Sequence, residues 1–313
     1  MIKISFFGSS EFSIPTLRCL FEDENIEVKS IITMPPAEKN RGKKLSNNIV
    51  QDFAIQQCFD EKLIFTPNSL KKKDEEGAKL LEILKNQDLD FIVVVAYGKI
   101  ITKSIIELPK YEILNLHPSA LPKYRGAAPI ERAIENGDKE TEICIMRVDT
   151  GLDTGDVAVR QKYTFDINKG ASEIVPDIAE IGAKLMLDTI KKCIKNEIVF
   201  APQTEEGMIY ANKIEKSELF IDLNDTTLDA VKIFNKIRAF NNNGCCYFIL
   251  DGLRVKIISA TLDKTNNSNI DDKYGFDRTT GNIYLNGGII TPLILQKEGK
   301  KPVPLKDFLN GLQ

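Results

Sequence analysis

The 313-residue chain has no tryptophan and only one histidine, His117. A single histidine excludes any metal centre built on a His pair. None of the six cysteines (Cys19, Cys58, Cys144, Cys193, Cys245, Cys246) stands at a two-residue spacing from another or close to His117, so no zinc or dithiol redox site is expected. Cys245 and Cys246 are adjacent, which disfavours an ordinary disulfide between them. No apolar run approaches the ~18 residues that cross a bilayer. The chain opens directly into an apolar strand with no charged n-region and apolar h-region before it, and this predicts a reducing, cytoplasmic compartment and no membrane partner. Neither charge sign dominates: 42 Lys and Arg against 45 Asp and Glu leave −3, so a nucleic acid could be held only by a local patch. The turn Gly8-Ser9-Ser10-Glu11-Phe12-Ser13 lacks the second and third glycines of a dinucleotide fingerprint, and no phosphate loop ending in Gly-Lys-Ser occurs. Neither NAD nor ATP is expected, and Gly8 reads as strand-to-helix turn geometry.

What is present is an alternation of short β-branched runs with amphipathic stretches, the pattern of a doubly wound, mostly parallel, Rossmann-like α/β sheet. Strands are predicted at residues 2–7, 26–33, 63–65, 91–96, 113–117 and 143–148. Helices are predicted at 12–20, 49–59, 74–85, 100–106 and 130–135. Phe91-Ile92-Val93-Val94-Val95-Ala96 is the most continuous apolar run and belongs in the middle of the sheet. A long amphipathic helix over 172–193 closes a first domain, 1–199. Residues 200–207, containing Pro202, form a linker. From 208 to 313, a helix over 227–240 and several short strands with Gly and Asn turns suggest a small β-barrel.

Asn115-Leu116-His117-Pro118-Ser119 follows the apolar pair Ile113-Leu114. On a strand, residues two apart share a face, so Asn115 and His117 present an amide and an imidazole side by side, and Pro118 stops the ladder at the sheet edge where open α/β folds bind ligands. Further on, Asp149-Thr150-Gly151-Leu152-Asp153-Thr154-Gly155-Asp156 is either a tight Asx-type loop or a carboxylate held beside the imidazole, and periodicity does not choose among its three aspartates. Lys39-Asn40-Arg41-Gly42-Lys43-Lys44 carries four positive charges in six residues, which suits a solvated loop or an RNA-backbone contact.

These segments together resemble a known family. Asn115 to Ser119, Leu121-Pro122-Lys123-Tyr124-Arg125-Gly126-Ala127-Ala128-Pro129-Ile130 and Gly151 to Asp156 are similar to the 10-formyltetrahydrofolate-dependent formyltransferases. Arg41 to Leu45, Ala201-Pro202-Gln203, Ile237-Arg238-Ala239-Phe240-Asn241, and Gly299-Lys300-Lys301 with Asp307 to Gly311 narrow the resemblance to the methionyl-tRNA formyltransferases. Two departures stand out: Met34-Pro35-Pro36 replaces the Gln-Pro-Asp common in relatives, and Asn242-Asn243-Gly244-Cys245-Cys246 stands where relatives often carry Pro-Trp-Pro.

The resemblance implies an OB-like C-terminal barrel that binds tRNA, and transfer of the formyl group of 10-formyltetrahydrofolate to the α-amino group of methionyl initiator tRNA. Direct amine attack would pass through a tetrahedral intermediate. The family's catalytic set falls on Asn115, His117 and Asp153: the amide and imidazole donate to the oxygen that becomes negative, and the carboxylate orients the ring and helps move the proton. The folate slot is assigned to Ala96, Tyr97, Gly98, Ser119, Pro122, Arg147, Val148 and Asp149. The tRNA contacts are assigned to Arg41, Gly42, Lys43 and Lys44. No metal is implied, and a monomer is expected. A formyltransferase acting on an amino sugar and a non-catalytic tRNA-binding protein are the competing readings.

Overall fold

The computed structural model describes residues 1–39, 44–264 and 274–312. By its contacts the chain divides into two compact units, the first built from Met1–Ala127, Glu142–Tyr163 and Pro176–Tyr210, the second from Ala128–Thr141, Thr164–Val175 and Ala211–Gln313.

In chain order, the strands of the first half are β1 (Ile2–Gly8), β2 (Ile26–Ile32), β3 (Ala37–Lys39), β4 (Lys44–Ser46), β5 (Ile64–Phe65), β6 (Phe91–Val95), β7 (Glu112–His117), β8 (Lys123–Gly126), β9 (Glu140–Arg147) and β10 (Val157–Thr164). The helices are α1 (Ile14–Glu22), α2 (Ile49–Gln56), α3 (Glu75–Lys85), α4 (Lys103–Ile106), α5 (Pro129–Glu135) and α6 (Ala171–Ile194). A seven-stranded sheet runs β10-β9-β7-β6-β1-β2-β5. The pairs β1 with β2 and β6, β2 with β5, and β6 with β7 are parallel, whereas β7 with β9 is antiparallel. This is the doubly wound, mostly parallel architecture. All five residues of β6 are buried, as an apolar run covered on both faces should be.

Local signals set the helix ends. The Asn48 side chain accepts from the Val50 amide at 2.9 Å to start α2. Glu75 and Glu76 open α3 and Lys85 closes it, in line with the helix dipole. Short strands β3, β4 and β8 fall where loops were expected, and two further expectations change. The helix expected over 100–106 shrinks to the four residues of α4, starting at Lys103 and ending before Pro109. Strand β10 was not expected, because an edge strand with exposed Arg160, Gln161 and Lys162 lacks the apolar alternation of a paired interior strand.

The second unit contains α7 (Ala230–Phe240) and the strands β12 (Tyr247–Leu250), β13 (Leu253–Asp263), β14 (Gly275–Phe276), β15 (Ile283–Leu285), β16 (Gly288–Lys297) and β17 (Val303–Pro304), after the short β11 (Ile209–Ala211). These form an antiparallel sheet in the order β12-β13-β16-β15-β14, with β17 on β16. Register shifts at Ile257, Ser259 and Ala260 coil it into an OB-like half-barrel. The β12–β13 hairpin turns at Asp251-Gly252, both at positive φ (+52° and +76°), as a two-residue primed turn requires. Ile233, Phe234, Ile237 and Phe240 of α7 are buried in this unit, and buried Arg238 donates to the carbonyls of Lys169 (3.0 Å) and Asp166 (2.8 Å). All six cysteines are free thiols. Among the described residues, no helix is long and apolar enough to cross a membrane.

Candidate active site

β7 ends at His117, beside the carboxyl ends of the strands parallel to it, where open α/β sheets present side chains to ligands. Neighbours on both sides set its register: Asn115 lies opposite Val94 and Met146, and His117 opposite Cys144. Burial pushes the Cys144 thiol up to about 12, and its Sγ donates to the Ser119 carbonyl at 3.0 Å, so this sulfur is a packed thiol and not a nucleophile. Asn115 is half-buried with its amide free of partners among the described residues.

His117 is only 4% exposed. Its Nε2 lies 3.0 Å from the carbonyl oxygen of Tyr124. A carbonyl only accepts, so Nε2 carries a hydrogen and donates it, which leaves Nδ1 as the ring nitrogen open to other partners. Nδ1 faces Asp153 Oδ2 at 3.7 Å. That separation is long for a hydrogen bond and short enough for charge pairing. The same carboxylate oxygen accepts the Gly126 amide at 2.8 Å. Tyr124 (φ +62°), Gly126 (φ +125°) and Asp153 (φ +54°) all adopt left-handed backbone around the imidazole. Such clustering of uncommon backbone is typical of functional sites. At Gly126 the conformation calls for glycine.

Hydrogen bonding distinguishes the three aspartates. Asp149 accepts from the Gly151 amide (2.9 Å) and the Thr154 hydroxyl (2.7 Å), an Asx-type turn that shapes the loop. Asp156 pairs with Arg147 at 3.4 Å. Asp153 is the one beside His117.

The remaining predicted positions fall into separate groups. Ala96 is exposed at φ +46° at the carboxyl end of β6, and Gly98 (φ +87°) has open space where a Cβ would stand. Between them Tyr97 is buried, packs edge-on to Phe7 with ring centroids 5.2 Å apart, and carries a hydroxyl with no hydrogen-bond partner among the described residues. Burial raises its phenol above the usual tyrosine value. Ser119 and Pro122 lie in the turn after β7; Ser119 is fully buried and its hydroxyl donates to the Lys123 carbonyl at 2.7 Å. Arg147 ion-pairs with Glu112 at 2.7 Å and covers the Phe200 ring at 4.3 Å, while the Val148 amide donates to Ile113 at 2.9 Å. Arg147, Val148 and Asp149 therefore stand beside the start of β7 and form the base of the Asp153 loop. The Gly8 turn is engaged internally: Ser13 Oγ donates to the Val95 carbonyl (2.7 Å), and a Cβ on Gly8 would lie 2.8 Å from that of Ser13. Arg41, Gly42 and Lys43 lie outside the described residues; Lys44 begins β4, opposite Lys39 of β3.

Sequence reasoning gave no role at this site to Tyr124, Gly126, Arg125 or Gln203. Gly126 offered a physical signal, since a positive-φ position favours glycine, and all four residues lie in motifs that carry the family resemblance.

Residues 2–190 match the formyl transferase family, and residues 213–313 match the formyl transferase C-terminal domain. The chain belongs to the formyl transferase family. Two similar proteins are the methionyl-tRNA formyltransferases of Clostridium novyi (strain NT), 35% identical over 99% of this chain and 97% of that protein, and of Rickettsia bellii (strain RML369-C), 36% identical over 100% and 97%. Solved formyl transferases share the fold. WlaRD, a sugar 3N-formyl transferase, superposes with a TM-score of 0.66 at 23% identity, covering 96% of this chain and 99% of that one. The methionyl-tRNA formyltransferase from Clostridium thermocellum gives 0.57 at 19% identity over 83% and 93%.

Proposed function

We propose that this formyl transferase carries the formyl group of 10-formyltetrahydrofolate to the α-amino group of methionine on initiator tRNA. The observation that carries the reading is identity of 35–36% to methionyl-tRNA formyltransferases along essentially the whole length, both domains included. 10-Formyltetrahydrofolate supplies an activated formyl carbon when bound. The open backbone edge at Ala96 and Gly98, with the orphaned Tyr97 hydroxyl between them, fits a flat ligand that brings its own polar groups, and Ala96, Tyr97 and Gly98 are the residues proposed to hold it.

The chain's own residues then act as follows. The Asn115 amide donates to the formyl oxygen as negative charge develops there, an interaction stronger in the transition state than in the ground state. His117 is oriented by its Nε2 bond to Tyr124, so Nδ1 is the ring position that meets the substrates. Asp153 at 3.7 Å offsets positive charge on the ring as Nδ1 takes up the proton released by the attacking amine, and that proton passes to N10 as the bond between N10 and the formyl carbon breaks and tetrahydrofolate leaves. This differs from the expectation from sequence, in which the imidazole joined Asn115 in donating to the formyl oxygen. Arg41, Lys43 and Lys44 are proposed to hold the tRNA backbone, with the OB-like unit as a second tRNA-binding element.

Purified protein supplied with 10-formyltetrahydrofolate is expected to formylate methionyl initiator tRNA and to leave free methionine and an amino-sugar nucleotide unmodified. Formylation of the sugar but not the tRNA would overturn the reading.

A further inference from the structure

Gln203 lies in the segment that sequence reasoning assigned to a linker, yet within the first unit it is tied to the Asp153 loop. Val157 and Ala201 exchange two backbone hydrogen bonds (2.8 and 2.9 Å), which fixes the chain just before it. Gln203 Nε2 then donates to the Asp153 carbonyl at 2.9 Å and to the Gly155 carbonyl at 2.7 Å. Its Oε1 accepts from Arg125 through both Nε (3.1 Å) and Nη2 (2.9 Å). The amide orientation is unambiguous, because a guanidinium only donates and peptide carbonyls only accept. Arg125 is itself 2% exposed, and its Nη1 pairs with Glu205 at 3.2 Å.

We infer that Gln203 is a positioning residue for the reaction: its amide, oriented by Arg125, clamps the backbone on which Asp153 stands and so sets the Asp153–His117 separation. The inference rests on the proposed role of Asp153. Asp153 occupies left-handed backbone, a region a non-glycine residue keeps only when its surroundings hold it. Two groups do so. The Gly126 amide holds the carboxylate and Gln203 holds the carbonyl. Asparagine is one methylene too short to span from Arg125 to these carbonyls, and a carboxylate has no N–H to give them.

That last point defines the test. Gln203→Glu keeps a partner for Arg125 but replaces both donated bonds with repulsion between oxygens. The expected result is a fall in kcat on the order of 10²-fold with KM for both substrates close to the parent's; because two carbonyls lose their partner the unfolding temperature also falls, so kcat is read at a temperature where the variant is fully folded. Made in an Asp153→Asn background, the same change should cost less than about threefold, because its effect runs through that carboxylate. If Gln203→Glu proves poorly folded, Gln203→Met, which neither donates nor accepts strongly, takes its place in the same cycle. Unchanged kcat in Gln203→Glu while Asp153→Asn is impaired would overturn the inference and leave the site reading standing. A full-sized loss in the Asp153→Asn background would overturn it as well, by placing the action of Gln203 elsewhere. An unimpaired Asp153→Asn would remove the site reading, and this inference with it.

Discussion

Asn115 and His117 share a strand face and differ in what they do for the fold. Among the described residues the half-buried Asn115 amide has no hydrogen-bond partner. The His117 ring is buried and satisfies the Tyr124 carbonyl. Asn115→Ala should therefore lower kcat by about 10²–10³-fold while leaving stability within ~0.5 kcal/mol of the parent. His117→Ala should lose comparable activity and in addition about 1–3 kcal/mol, because it leaves a buried carbonyl unpaired. Single-turnover formylation and urea unfolding of the two variants separate these contributions; equal destabilisation by both would contradict a free Asn115 amide. The residue pair itself was legible from the strand pattern. The division of labour was not, since it depends on the Tyr124 carbonyl seven residues away across a turn.

At the scale of elements, the 149–156 loop forms no helix or strand and is the part on which the proposed site depends. Gly155 permits its path: a Cβ there would stand 2.0 Å from the Arg147 carbonyl oxygen, a backbone atom that cannot swing aside. Gly155→Ala should displace the loop, with kcat falling at least ~10-fold as Asp153 moves off His117 and stability falling by about 1–3 kcal/mol. Stopped-flow or quenched formylation together with chemical denaturation would measure both; retained activity would mean the loop tolerates a second path. Regular elements were far easier to read than this loop. The β6 run announces itself because burial on both faces demands unbroken apolar residues, whereas edge strand β10 is hidden by its exposed Arg160, Gln161 and Lys162.

For the whole molecule, a net charge of −3 means that attraction to tRNA must come from local groups and not from the overall field. If the basic segment contacts phosphates, Arg41→Ala should raise KM for tRNA with little effect on KM for the folate. The salt dependence of its log KM should be shallower than the parent's by about one unit, the signature of one lost phosphate contact. A steady-state series from low to moderate ionic strength gives both slopes; identical slopes would remove Arg41 from the interface. The α/β class, the central strand, a C-terminal part rich in short strands and the candidate pair Asn115 and His117 all follow from the sequence by itself, because period, propensity and turn chemistry act between near neighbours. The tertiary structure alone decided which of three aspartates faces the imidazole, which ring nitrogen meets the Tyr124 carbonyl, and that the Gln203 amide bonds the carbonyls of Asp153 and Gly155. Each of these depends on groups brought together by folding, with Gln203 lying 50 residues from Asp153 and 78 from Arg125 along the chain. No local pattern specifies such contacts; only the closure of loops over a packed sheet does.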